Sequence, residues 1–138
     1  VIIDAAHNPH GATALADTIR NEFDFESIFC VLGILGEKDA RGVLKALEPV
    51  VNRLIVTKSD SPRALPVAEL FAEAVLVFGN DRVFKEDDLN SAITYAMEQA
   101  TLINQVSDGV SAVVITGSVV TAGSAREILR KIGRSEAK

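Results

Sequence analysis

Tryptophan is absent from the sequence and cysteine occurs once, as Cys30 in the apolar run 28–32. A single thiol cannot close an intramolecular disulfide, and its apolar neighbours make it a core residue rather than a nucleophile. A reducing, cytoplasmic location is the corresponding expectation. Positive charge is scarce too: 14 Lys and Arg stand against 19 Asp and Glu, a formal charge of −5. That balance argues against phosphate-backbone binding as the main task, so no nucleic-acid partner is expected. No apolar stretch approaches the roughly 18 residues needed to cross a bilayer, and no membrane partner is expected either. The glycine signatures of a P-loop (G-x-x-x-x-G-K-[ST]) and of a dinucleotide fold (G-x-G-x-x-G) are both missing. An initiator methionine is also missing: Val1 already reads as part of an apolar strand, which predicts a piece of a longer protein.

What is present is ordinary for a soluble domain: 48% apolar and 24% charged residues. With 138 residues, and without repeats, low-complexity tracts or a mid-chain linker, residues 1–138 read as one domain. Short, continuous, β-branched runs at 1–3, 28–32, 54–57 and 112–116 predict buried strands. Helical spacing appears between them at 12–22, 40–51, 67–73 and 89–102. A further strand fits either 75–78 or 82–85. A last helix is expected to begin just after 121–123, to run through 125–132 and to end near Gly133, leaving 134–138 as a frayed tail. Alternation of strand and helix predicts an α/β fold with right-handed crossovers, a mostly parallel sheet and helices on both faces.

Open sheets of this kind bind ligands beyond the carboxyl ends of their strands, where this chain concentrates its polar loops. The first is Asp4-Ala5-Ala6-His7-Asn8-Pro9-His10-Gly11, which holds both histidines. Asp4 emerges at a strand end, Asn8 or His10 can cap the next helix, and the following N–H groups suit a phosphate or carboxylate. Equally, Asp4 and Asn8 can simply satisfy loop and helix-end amides. His7 fits a ligand donor, a proton carrier or a loop residue. A metal is not expected, since His7 and His10 flank a Pro9 turn with no nearby Cys or Glu to complete a site. The second loop, Gly33-Ile34-Leu35-Gly36-Glu37-Lys38-Asp39, can bend sharply and projects Lys38, with Asp39 a candidate N-cap. The third, Thr57-Lys58-Ser59-Asp60-Ser61-Pro62-Arg63, carries an arginine able to grip a carboxylate. In the fourth, Thr116-Gly117-Ser118, a glycine permits close backbone approach between two hydroxyls. Together they point to a small polar ligand. No nucleophile and base stand at a recognisable spacing.

These four motifs, followed by Ala122-Gly123-Ser124-Ala125-Arg126, resemble in order the C-terminal domain of the folylpolyglutamate synthases, bifunctional dihydrofolate synthases among them, within the Mur ligase superfamily. The resemblance spans nearly the whole chain and implies a Rossmann-like, three-layer αβα domain. It implies an ATP-dependent ligase that activates a pteroate or folate carboxylate as an acyl phosphate and transfers it to L-glutamate. ATP with Mg2+ would serve the full-length enzyme, whose P-loop and metal ligands belong to an N-terminal ATPase domain outside this chain, so the isolated piece would be inactive. Carried over by motif, Asp4, His7, Asn8 and Gly11 would contact ATP. His7, Arg63 and Ser118 would contact glutamate, and Lys38 would stabilise developing charge. The chain departs from the family pattern at Ala5, where Gly is frequent, and at Ser124, where Glu is common. Two alternatives are a peptidoglycan-precursor Mur ligase domain and a non-catalytic α/β ligand-binding module. A receiver domain is disfavoured because Lys58-Ser59, not an Asp, follows the third strand, and a nicotinamide-dependent dehydrogenase because its glycine fingerprint is missing.

Overall fold

The apolar runs form five strands: β1 (Ile2–Ile3), β2 (Ser27–Leu32), β3 (Arg53–Val56), β4 (Val83–Lys85) and β5 (Ser111–Thr116). Five helices connect and follow them: α1 (Pro9–Glu22), α2 (Ala40–Leu47), α3 (Val67–Phe78), α4 (Leu89–Val106) and α5 (Val119–Glu136). These positions come from a computed structural model, which describes residues 1–107 and 109–136. All strand pairs are parallel, in the order β1-β5-β2-β3-β4.

Because successive strand residues point to opposite faces, the sheet divides its apolar side chains between two cores. Cys30, Leu32, Leu54, Val56 and Val114 pack with α1, α2 and α3. Phe29, Val31, Ile55, Val113 and Ile115 pack with α4 and α5. The result is the three-layer αβα arrangement with a parallel sheet that the alternation predicts. Cys30 is fully buried, and burial pushes its thiol up to about 12, so it is inert at neutral pH.

Several element ends differ from expectation, each for a local reason. The helix expected over 40–51 stops at Leu47: Pro49 has no N–H to donate, and the N–H groups of Val50 and Val51 turn back to the Leu47 carbonyl. Residues 75–78 are not a strand but the last turn of α3, which ends at Gly79 in a positive-φ conformation (φ +86°). The alternative at 82–85 is the strand, β4. Helix α4 continues to Val106, beyond 102. Helix α5 starts at Val119, ahead of 121–123, because Ser118 caps it. It then passes through Gly133, which keeps a negative φ and so does not terminate it, and reaches Glu136 in place of a frayed 134–136. Residues 137 and 138 lie outside the described residues.

The strand order sets the position of the site. Loops leaving β1 and β2 rise to α1 and α2 on one face, whereas the loop leaving β5, which lies between them, descends to α5 on the other. Such a divergence opens a crevice at the carboxyl end of the sheet.

Candidate functional site

Backbone hydrogen bonds draw three of the polar loops together around β5. The Asp4 N–H donates to the Ile115 carbonyl (3.0 Å), the Gly33 N–H to Thr116 (3.2 Å) and the Gly117 N–H to Ala6 (3.1 Å). Gly117 has a φ of +120°, and a Cβ built there would lie 2.2 Å from the Gly33 carbonyl oxygen. The two glycines are therefore stacked backbone on backbone, and no side chain fits at position 117. Thr121 locks the stack: its hydroxyl donates to the Gly33 carbonyl (2.9 Å) and accepts from the Ser118 hydroxyl (2.9 Å). Ser118 in turn accepts from the Thr121 N–H (2.9 Å), which makes it the N-cap of α5.

Around this centre lie the residues singled out from the sequence. Asp4 is half-buried, and its carboxylate accepts the Ala6 N–H at 2.7 Å. Asn8 is the N-cap of α1 and accepts the Gly11 N–H at 2.8 Å, with Pro9 in the first turn. Helix α1 consequently has one first-turn amide, that of His10, without an acceptor among the described residues, fewer than the open row of donors expected there. The half-buried His7 sets its Nδ1 3.1 Å from the Ala5 carbonyl. When Nδ1–H donates to that carbonyl, Nε2 is left as acceptor in the neutral ring and as donor to an anion in the imidazolium. Asp4, His7, Asn8 and Gly11 thus share one rim with the Ser118 turn, where Ser118 itself is buried and its hydroxyl is engaged by Thr121 as both donor and acceptor.

Lys38 and Arg63 occupy a second corner of the same edge. The loops 34–38 and 61–65 are zipped by hydrogen bonds from the Gly36 N–H to the Arg63 carbonyl and from the Leu65 N–H to the Ile34 carbonyl, both 2.8 Å. Leu35 and Ala64 form an antiparallel bridge between them. Arg63 pairs with Glu37, both side chains being well exposed. Lys38 lines an open cleft of about 590 Å³ beside it, together with Arg41 and Glu73. Asp39 accepts the Gly42 N–H and caps α2 as expected.

Thr121 was not evident as a site residue, although Ser118 followed three residues later by a hydroxyl acceptor has the spacing of a helix cap. Nor was Thr57, which is fully buried at the carboxyl end of β3 with its hydroxyl unpartnered. Its carbonyl and the Cα of exposed Lys58 lie 3.4 Å from where a Gly33 Cβ would stand, so the β3 loop adjoins the glycine stack. The N–H groups of Val119 and Val120, in the first turn of α5, lack intrahelical acceptors and complete the rim. Among the described residues, no group of three or more His, Cys, Asp or Glu side chains is placed to hold a metal ion.

The family profile described as Mur ligase, glutamate ligase domain, matches residues 1–119. The chain belongs to that family. It is 48% identical over 134 residues to a dihydrofolate synthase/folylpolyglutamate synthase of Mycobacterium tuberculosis, a match covering 93% of this chain and 28% of that protein. The fold superposes on a crystal structure of Mycobacterium tuberculosis folylpolyglutamate synthase complexed with ADP and AMPPCP with a TM-score of 0.87 and 48% identity, over 91% of this chain and 29% of that one. It also superposes on a bifunctional folylpolyglutamate synthase/dihydrofolate synthase with Mn, AMPPNP and L-glutamate bound, with a TM-score of 0.74 and 25% identity, over 92% of this chain and 28% of that one. The chain thus spans under a third of the length of these relatives. The match reaches across the glycine stack and its cap, so the Mur ligase glutamate ligase domain accounts for the α/β architecture and for the loops that form the rim. No described helix is long and apolar enough to cross a membrane.

Proposed function

We propose that residues 1–138 form the C-terminal, glutamate- and nucleotide-contacting domain of a cytoplasmic, ATP-dependent ligase that adds L-glutamate to dihydropteroate or folates through an acyl phosphate. The observation that carries this reading is the convergence of the 4–11 loop, Gly33 and the 116–121 turn on one crevice. It stands in a chain 48% identical to a dihydrofolate synthase/folylpolyglutamate synthase.

The rim suits anionic ligands. Two stacked glycines remove side chains from its floor, the α5 N-terminus and Lys58 supply positive potential, and His7 offers the ring nitrogen not held by Ala5. Asp4, His7, Asn8 and Gly11 are assigned to ATP. For Asn8 and Gly11 the contribution is indirect: their mutual hydrogen bond shapes the loop that presents His7. His7 also lies toward the glutamate, whose carboxylates fall to the Ser118 turn and to Arg63, with Lys38 stabilising anionic charge as the acyl phosphate forms and is consumed. Mg2+ is assigned to the nucleotide and to an ATPase domain supplied by the rest of the enzyme, since the described residues offer no cluster of ligands for it. Closure of that domain on this rim would assemble the site and exclude water, and the isolated chain would then be inactive.

The test is ATP-dependent incorporation of labelled glutamate into dihydropteroate or tetrahydrofolate, with residues 1–138 alone and within the longer protein. Incorporation by the longer protein only is expected. No incorporation by either, with the longer protein ligating an amino acid to a peptidoglycan precursor instead, would transfer the domain to that branch of the Mur ligases.

A further inference from the structure

Arg63, the arginine assigned above to a glutamate carboxylate, already holds one. Its partner is Glu37 of the neighbouring loop, and the pair is set by main chain rather than by chance approach of two long side chains. The Gly36 N–H donates to the Arg63 carbonyl and the Leu65 N–H to the Ile34 carbonyl. The Ser61 hydroxyl accepts the Arg63 N–H at 3.1 Å, and the register sets Gly36 opposite Arg63, so that position 37 lies diagonally across the zipper from position 63. A glutamate side chain ends in the same –CH2–CH2–COO− group that free L-glutamate carries. The corner therefore contains a covalently attached copy of the chemical group it is proposed to bind.

We propose that Glu37 is an internal competitor for Arg63, a specificity-determining residue that sets the glutamate KM of the ligase; the inference rests on the assignment of Arg63 to glutamate. Incoming glutamate exchanges with Glu37, one carboxylate replacing another on the same guanidinium. Exchange is cheap because the pair is exposed, at 66% for the arginine side chain and 44% for the glutamate. Pairs of that kind change an equilibrium by about two- to fivefold. An amino acid with an uncharged side chain has only its α-carboxylate and no side-chain carboxylate to exchange with Glu37, so the competitor also filters ligands by side-chain charge. Lys38, next in sequence, makes no ion pair among the described residues and is free to receive the displaced Glu37 or the ligand.

The experiment measures the glutamate dependence of ligation in the full-length enzyme for wild type, Glu37→Gln, Arg63→Gln and the double variant, with circular dichroism as a check on folding. Glu37→Gln is expected to lower the glutamate KM about two- to fivefold with kcat unchanged. Arg63→Gln should raise it, and Glu37→Gln should have no further effect once Arg63 is gone. If Arg63→Gln raises the KM but Glu37→Gln leaves it unchanged, or raises it by freeing an arginine it had positioned, the competitor is overturned while the role of Arg63 survives. If Arg63→Gln leaves the KM unchanged, the assignment of Arg63 fails and the inference with it.

Discussion

The two edges of the sheet use polar residues in opposite ways. At the amino edge they are consumed by structure: Arg82 donates to the carbonyls of Glu48, Val51 and Asn52 and to the Glu48 carboxylate, and its guanidinium covers the Phe78 ring. The Asn52 side chain accepts the Ile28 N–H, and the Asn104 side chain accepts the Ser111 N–H. At the carboxyl edge the main chain closes on itself through Gly33, Gly117 and Ala6, so Lys38 and Lys58 need not be spent on holding loops and His7 gives only its Nδ1, to the Ala5 carbonyl. Anchoring by charged side chains and the proposed ligand binding are thereby separated along the strand direction, the carboxyl edge taking its stability from the main chain and from short polar caps. A guanidinium at one end anchors the chain, while a guanidinium at the other, Arg63, has an exchangeable partner.

Gly117→Ala should break the carboxyl edge. It puts a side chain at φ +120° and against the Gly33 carbonyl, and strain and overpacking together predict a loss of about 3 kcal/mol or more. Urea unfolding checks this, with Gly123→Ala as the contrast. That helical glycine faces open space, so alanine should add roughly 0.5–1 kcal/mol, and equal losses at both positions would contradict the stacked-glycine description. Arg82→Ala removes the amino-edge anchor and should cost about 2 kcal/mol by the same assay, leaving the ligand rim untouched. The smallest effect is expected at Asp88, the N-cap of α4. Hydrogen bonds from the Ser91 hydroxyl and N–H hold its carboxyl below the ordinary value of 3.8. A lowered folded pKa means that this contribution is complete above about pH 4 and is lost as the pH falls through the depressed value. Asp88→Asn keeps an acceptor for the cap but cannot titrate, so the fall in melting temperature between pH 5 and pH 2 should become shallower.

Strands and core were legible in the sequence because continuous β-branched runs have few alternatives to burial. Where the alternatives were real, tertiary packing chose. Val75-Leu76-Val77-Phe78 has strand-like composition, yet it buries Phe78 and leaves Leu76 72% exposed, a helical rather than an alternating pattern. Helix ends were less legible, since the hydroxyls of 116–118 read as ligand donors, and only the fold reveals that Ser118 is also the cap that starts α5. The rim residues were visible as loops after strands, as the order of strands and polar segments requires. The Glu37 and Arg63 pair and the Gly33 and Gly117 stack were not, because each joins loops whose register depends on how β2, β3 and β5 are ordered in the sheet.

The separation of the two edges is tested most directly by comparing His7→Ala and Arg82→Ala in the full-length ligase, measuring melting temperature and ATP-dependent transfer of labelled glutamate on the same samples. His7→Ala should reduce transfer at least tenfold, in line with the roughly 10²-fold or greater contribution of a positioned acid or electrostatic group, with the melting temperature unchanged. Arg82→Ala should lower the melting temperature with transfer unchanged below the transition. Full transfer in His7→Ala, or transfer lost in Arg82→Ala while the protein remains folded, would contradict it.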